Sequence, residues 1–241
     1  KTSNKFPNKA GKFTHLKELP EKLEYGIYRV KIHKADPKLN VNKYFKFNQK
    51  GDYYTHYDII AAQKLGLKVE LIQDEKVNAL IYDKNCLVGG QILFKPFVEY
   101  MYALKLKKVS GSKPILNSLW GALMEYNKQL RQTENGKVYL EDCDVVSIEP
   151  HGDKHWIETI PNDKVFVTDW ARVAPFITSL NRLLFGRLLF GYGDRVKAFH
   201  TDGFIIDGEV TNIRLSEKLC EFKLEKQGSV HIVNACKAEW T

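Results

Sequence analysis

Two short segments about eighty residues apart carry residue types suited to phosphoryl chemistry. The first is Lys113-Pro-Ile-Leu-Asn117-Ser118-Leu-Trp120-Gly121, in which Lys113, Asn117 and Trp120 recur at i, i+4 and i+7. On a helix that spacing puts all three on one face. The second is Ala198-Phe-His200-Thr201-Asp202-Gly203-Phe-Ile-Ile, a carboxylate at the tip of an apolar hairpin. Asp202 there suits a metal ligand, and Lys113 would meet a triphosphate as a point charge. Asn117 and Trp120 would lie along the same face as Lys113. Gly121 would admit a close approach that a side chain blocks. The alternatives are an ordinary Asp-Gly surface turn and a solvated cationic helix face with Trp120 in the core.

The elements that must position these residues follow from periodicity. Apolar positions Phe94, Phe97, Val98, Met101, Tyr102 and Leu104 predict a helix over 92–108. After the turn at Val109-Ser-Gly111-Ser, a second helix is predicted from Lys113 to about Leu130, with Pro114 in its first turn. Lys105, Lys107 and Lys108 would then form a cationic rim near Lys113. A helix over 174–190 precedes two strands, Val196–Phe199 and Phe204–Ile206, joined through Thr201-Asp202-Gly203. Upstream, strands are predicted at 25–32, 68–72 and 79–82 and a short helix at 57–66. Residues 1–20 read as irregular. Residues 131–170 read as short strand-like pieces, with turns at Glu134-Asn-Gly136 and His151-Gly-Asp153. Residues 207–241 read as a helix followed by one or two short strands.

The chain has 241 residues, 37 basic and 29 acidic side chains, and a formal net charge of +8. Its pI near 9.1 favours a polyanionic partner mildly. Cys86, Cys143, Cys220 and Cys236 form no C-x-x-C pair, which fits reduced thiols in an intracellular protein. No apolar run approaches a membrane span, so no membrane partner is expected. His151 with His155, and the Glu141-Asp142-Cys-Asp144 run, read as turns rather than metal sites.

The two segments resemble motifs of family B DNA polymerases. Lys113–Gly121 resembles KxxxNSxYG, with Trp120 where the family usually has Tyr. His200-Thr201-Asp202 resembles the metal-binding D-T-D motif, with His200 in place of the first Asp. Asp202 matches the second, the indispensable ligand. Tyr102-Ala-Leu-Lys105 looks like the end of the first fingers helix, whose lysine faces the triphosphate. Pro175 to Arg182 is similar to the helix before the metal motif, whose Arg packs against the palm in family members. Tyr54–Leu71 resembles the palm piece before the fingers. The stretch 131–170 lies where the protein-primed branch carries a β-hairpin insertion.

The resemblance implies an α+β fold: a polymerase palm, an antiparallel sheet with helices on one face, carrying a two-helix fingers insertion. Its parts would be palm over 1–90, fingers over 91–130, the β-hairpin insertion over 131–170 and the metal-motif palm over 171–241. It implies Mg²⁺, two ions in the complete enzyme, with a dNTP and a DNA template and primer as partners. Lys107, Lys108, His200 and Thr201 would lie toward the DNA. The family's other metal Asp sits in a D-x-x-S-L-Y-P segment that is not found here, and the exonuclease carboxylates are absent too. The expectation is a palm-and-fingers fragment, or half of a split enzyme, completed by an upstream polymerase segment. A terminal protein is a further partner of the protein-primed branch. The competing reading is a non-catalytic DNA-binding module of the same fold. Reverse transcriptases also use an aromatic-x-Asp-Asp hairpin, but the Lys–Asn–aromatic–Gly helix favours family B.

Overall fold

The computed structural model describes residues 4–36, 40–49, 51–132, 140–152, 154–200, 203–216, 218–219, 221–234 and 237–240. In chain order the strands and α-helices are β1 (Lys5–Pro7), β2 (Lys12–Thr14), β3 (Gly26–Ile32), β4 (Tyr53–Thr55), α1 (His56–Lys64), β5 (Val69–Leu71), β6 (Ala79–Ile81) and β7 (Leu87–Gly89). There follow α2 (Gly90–Leu106), α3 (Ser112–Leu123), β8 (Gln129–Gln132), β9 (Cys143–His151), β10 (Lys154–Pro161) and α4 (Ala174–Leu189). The chain closes with β11 (Val196–His200), β12 (Gly203–Ile206), β13 (Val230–Asn234) and β14 (Lys237–Trp240). The class is α+β, with antiparallel sheets and four α-helices among the described residues. The chain divides into two compact units. One comprises residues 1–8 and 88–174, the other residues 9–87 and 175–241.

The second unit is built on a sheet ordered β2-β6-β3-β4, with β5 also pairing β3. Strand β3 alternates, so Tyr28, Val30 and Ile32 are buried on one face while Lys31 points to solvent. Helix α1 covers that face with Ile59 and Ala62. It starts in a capping box: the Thr55 hydroxyl accepts from the Asp58 amide, and the Asp58 carboxylate accepts from the Thr55 amide. A second core gathers Phe185, Leu189 and Tyr192 with Val196, Phe199, Phe204 and Phe222. A ring cluster of Tyr25, His56, Tyr57 and Phe176 joins α1 to α4. Ring centroids lie 4.4 Å apart for Tyr25–His56, 3.9 Å for His56–Tyr57 and 4.5 Å for Tyr25–Phe176.

The first unit pairs α2 with α3 and adds the antiparallel sheet β8-β10-β9. Strands β9 and β10 form a hairpin of nine and eight residues, longer than the short pieces expected over 131–170. Gly152, at φ 63°, supplies the left-handed residue of their turn. The turn expected at Glu134-Asn-Gly136 lies outside the described residues.

Four expectations need correction. Helix α3 ends at Leu123, not near Leu130. Beyond it the Asn127 amide donates to the Val165 carbonyl (3.0 Å), the Val167 amide donates to the Glu125 carbonyl (2.9 Å), and Tyr126 stacks on Phe166. Pairing with a distant segment overrides local helix propensity there. Residues 1–20 contain strands β1 and β2. The register Lys12↔Ile81, Phe13↔Leu80, Thr14↔Ala79 shows that a sheet edge imposes β2 on a locally polar sequence. No helix occurs among the described residues of 207–241. Gly208 (φ 80°) and Asn212 (φ 62°) turn the chain, and the Ser216 amide donates to the Phe222 carbonyl. Finally, one stretch, Asp169–Arg195, is long and apolar enough by length and composition to cross a membrane. It joins α4 to 3₁₀ turns at both ends, and Arg182 within it is ion-paired to Asp58.

Candidate functional site

The two motifs fall in different units, and each is described on its own. In the first unit, Lys105, Lys107 and Lys108 at the end of α2 and Lys113 in the first turn of α3 flank one turn, and all four are exposed. The chain geometry explains why. Helix α2 closes in a Schellman motif: the Lys108 amide donates to the Lys105 carbonyl (3.0 Å) and the Val109 amide to the Leu104 carbonyl (3.1 Å). The motif needs a left-handed residue, and Lys108 supplies it at φ 57° where glycine is usual. Gly111, at φ 79°, then starts α3 without a side-chain cap. Lysines therefore gather beside a helix N-terminus, where the peptide dipoles also favour an anion.

Asn117 is exposed one turn along α3 from Lys113, about 6 Å along the axis, with Trp120 about 10 Å along it. Trp120 is 44% exposed rather than in the core, and its indole N–H donates to the Ala174 carbonyl at 3.3 Å. One ring edge is fixed while the rest of the residue stays accessible. A Cβ at Gly121 would meet nothing within 4 Å, so packing inside the unit does not require glycine there.

In the second unit, β11 and β12 form the expected antiparallel hairpin, with Phe199 opposite Phe204 and His200 opposite Gly203. Thr201 and Asp202 lie outside the described residues, so the structure describes the hairpin on either side of them. Its anchoring is aromatic. Phe185 of α4 lies 5.4 Å from Phe199, 6.2 Å from Phe204 and 5.4 Å from Phe222 by ring centroids. Arg195 pins the base: its Nε donates to the Asp207 carbonyl at 2.9 Å, and its carbonyl accepts from the Asp207 amide at 2.8 Å. Phe185, Phe222 and Arg195 carry no motif signature, because only the folded chain brings them to the hairpin.

Arg182 and Asp58 form an ion pair in this unit whose carboxylate is buried. Nε and Nη2 of Arg182 donate to Asp58 Oδ1 at 3.1 and 2.8 Å. Oδ2 accepts from the Thr55 hydroxyl at 3.0 Å and from the Thr55 amide at 3.3 Å. Both carboxylate oxygens of this 5%-exposed residue are thereby satisfied. Nearby, His56 Nδ1 accepts from the Gly26 amide, which puts the ring proton on Nε2. Burial lowers the imidazole pKa from 6.5 to about 4. Burial likewise pushes the Tyr25 phenol well above its ordinary value.

Among the described residues, no three His, Cys, Asp or Glu side chains gather to hold a metal ion. His151 and His155 sit on paired strands, in register with Lys154 and Pro150, rather than one turn apart on a helix. Cys86 and Cys143 are free thiols, and Cys220 and Cys236 lie outside the described residues. No family model, curated protein or solved structure matches the chain.

Proposed function

We propose that the chain is the palm-and-fingers portion of a family B DNA polymerase of the protein-primed type, working in Mg²⁺-dependent, template-directed nucleotidyl transfer. The observation that carries this reading is the local structure around the two motifs. A lysine-rimmed helix pair presents Lys113, Asn117 and Trp120 to solvent, and an aromatic-anchored hairpin flanks Asp202. The Arg182–Asp58 pair supports it further, since the resemblance implies an Arg at that position packed against the palm.

In this reading Lys113 and Lys105 neutralise the triphosphate. Asn117 and Trp120 shape the pocket for the nascent base pair, and Gly121 leaves it open. Lys107, Lys108, Thr201 and His200 face the DNA. Asp202 contributes one carboxylate to the metal site. In this reading the other carboxylate is the Asp of a D-x-x-S-L-Y-P segment, as the resemblance implies. Bound divalent ions would stabilise the attacking and leaving oxygens of the transfer. Deposition of charge around the phosphates and shaping of the base-pair pocket are what these residues supply.

The test is Asp202→Asn in the protein completed with the upstream segment. Incorporation should fall by at least about three orders of magnitude, with duplex affinity within about twofold of the parent. A variant that still extends primers would remove Asp202 from the site. DNA binding without any Mg²⁺-dependent step in the parent protein would mark a non-catalytic module.

A further inference from the structure

The second unit contains a cavity of about 200 Å³ between α1 and α4. Ala61, Leu65 and Leu183 form its apolar walls, and Tyr44 and Phe190 stand at it with ring centroids 6.0 Å apart. Tyr44 is fixed by donating its hydroxyl proton to the Gly193 carbonyl. Gly186 leaves its floor bare: a Cβ there would meet nothing within 4 Å. A glycine inside a helix costs about 0.5–1 kcal/mol relative to alanine, so the open space is kept at the expense of helix stability.

Three cations line the same cavity. Lys64 and Arg187 are exposed and make no ion pair among the described residues, whereas Arg182 directs Nε and Nη2 to Asp58. Asp58 thus balances one of the three. Sites for whole small molecules run to about 300–1,000 Å³. This one is smaller and matches a single Phe or Leu side chain. A nucleic-acid backbone would use the cations but leave the apolar hollow without a purpose.

We propose that this cavity receives one apolar anchor side chain from an acidic peptide segment of a partner protein, with Lys64 and Arg187 meeting the flanking carboxylates. Interfaces concentrate their energy in such anchors, and the cations add steering and specificity.

The test uses the full chain and fluorescein-labelled acidic nonapeptides with Phe, Trp, Leu or Ala at the centre, read by fluorescence anisotropy. At least one anchored peptide should bind about tenfold or more tighter than the Ala peptide, and binding should weaken with salt. Gly186→Leu should fill the cavity and weaken that peptide by about tenfold or more, and Lys64→Glu with Arg187→Glu should do the same. If Gly186→Leu does not fold by circular dichroism, Gly186→Ala narrows the same space while favouring the helix, and should weaken binding in the same direction. The proposal is overturned if no anchored peptide exceeds the Ala peptide. It is equally overturned if a folded Gly186 variant binds as the parent does, or if the charge reversals weaken duplex DNA and spare the peptide.

Discussion

His56 gives the chain a specific acid sensitivity. Only 7% exposed, it sits against Tyr25, Tyr57 and Phe176, and its Nδ1 is occupied by the Gly26 amide. It is also the first residue of α1, where the positive end of the helix dipole opposes a second positive charge. Burial holds its pKa at about 4, against 6.5 in the unfolded chain. The folded state therefore binds fewer protons between these values, and stability is complete above pH 6.5. It falls as pH drops through the window and levels off below pH 4. The gap corresponds to about 3 kcal/mol in all, of which about 2.5 kcal/mol is lost between pH 7.5 and pH 4.5. Urea unfolding of the parent and of His56→Phe at both pH values isolates this contribution, because the other titrating groups are common to both. Phenylalanine keeps a ring in the cluster but leaves the Gly26 amide without its acceptor, which lowers stability at every pH by about 1–3 kcal/mol. The informative quantity is the difference in pH dependence, expected at about 2.5 kcal/mol. Identical pH dependence in the two proteins would refute a neutral buried His56.

Arg182→Met should destabilise the second unit by about 2–4 kcal/mol in urea melts, because it leaves the Asp58 carboxylate buried beside Thr55 alone. Adding Asp58→Asn should recover part of that loss, and a purely additive double mutant would show that the pair is not coupled. Lys108→Gly should raise stability by about 0.5–1 kcal/mol by relieving a left-handed lysine, yet weaken duplex binding; unchanged binding would make Lys108 a cap and nothing more. In the completed protein, Lys113→Ala should raise the KM for dNTP by about tenfold or more, and an unchanged KM would remove Lys113 from the triphosphate site.

Local signals made much of the fold readable. The alternation in Gly26–Ile32, the 3.6-residue pattern of Phe94 to Leu104 and the apolar runs flanking Asp202-Gly203 each specify an element by themselves, and those elements formed. Failures came where partners distant in sequence decide. Residues 125–130 read as helix but pair with Val165 and with β10, and Lys12–Thr14 is a strand because Ala79–Ile81 offers it an edge. In the candidate site, the residue types and the shared helix face of Lys113 and Asn117 were legible from spacing. The left-handed Lys108, the Phe185 and Phe222 support under the hairpin, and the cavity over Gly186 were not. Each is assembled from segments tens of residues apart or depends on a backbone dihedral that lysine rarely adopts.

Primer extension with Mg²⁺ on a templated duplex tests the central claim most directly. It should be run with this chain alone, with the chain joined to upstream sequence bearing a D-x-x-S-L-Y-P segment, and with Asp202→Asn in the joined protein. Incorporation only in the joined protein, and its loss in Asp202→Asn, is the result expected of a polymerase whose metal site is shared with that segment. Extension by the chain alone would contradict a metal site shared with that segment. Duplex binding with no incorporation in any of the three would contradict the polymerase reading itself.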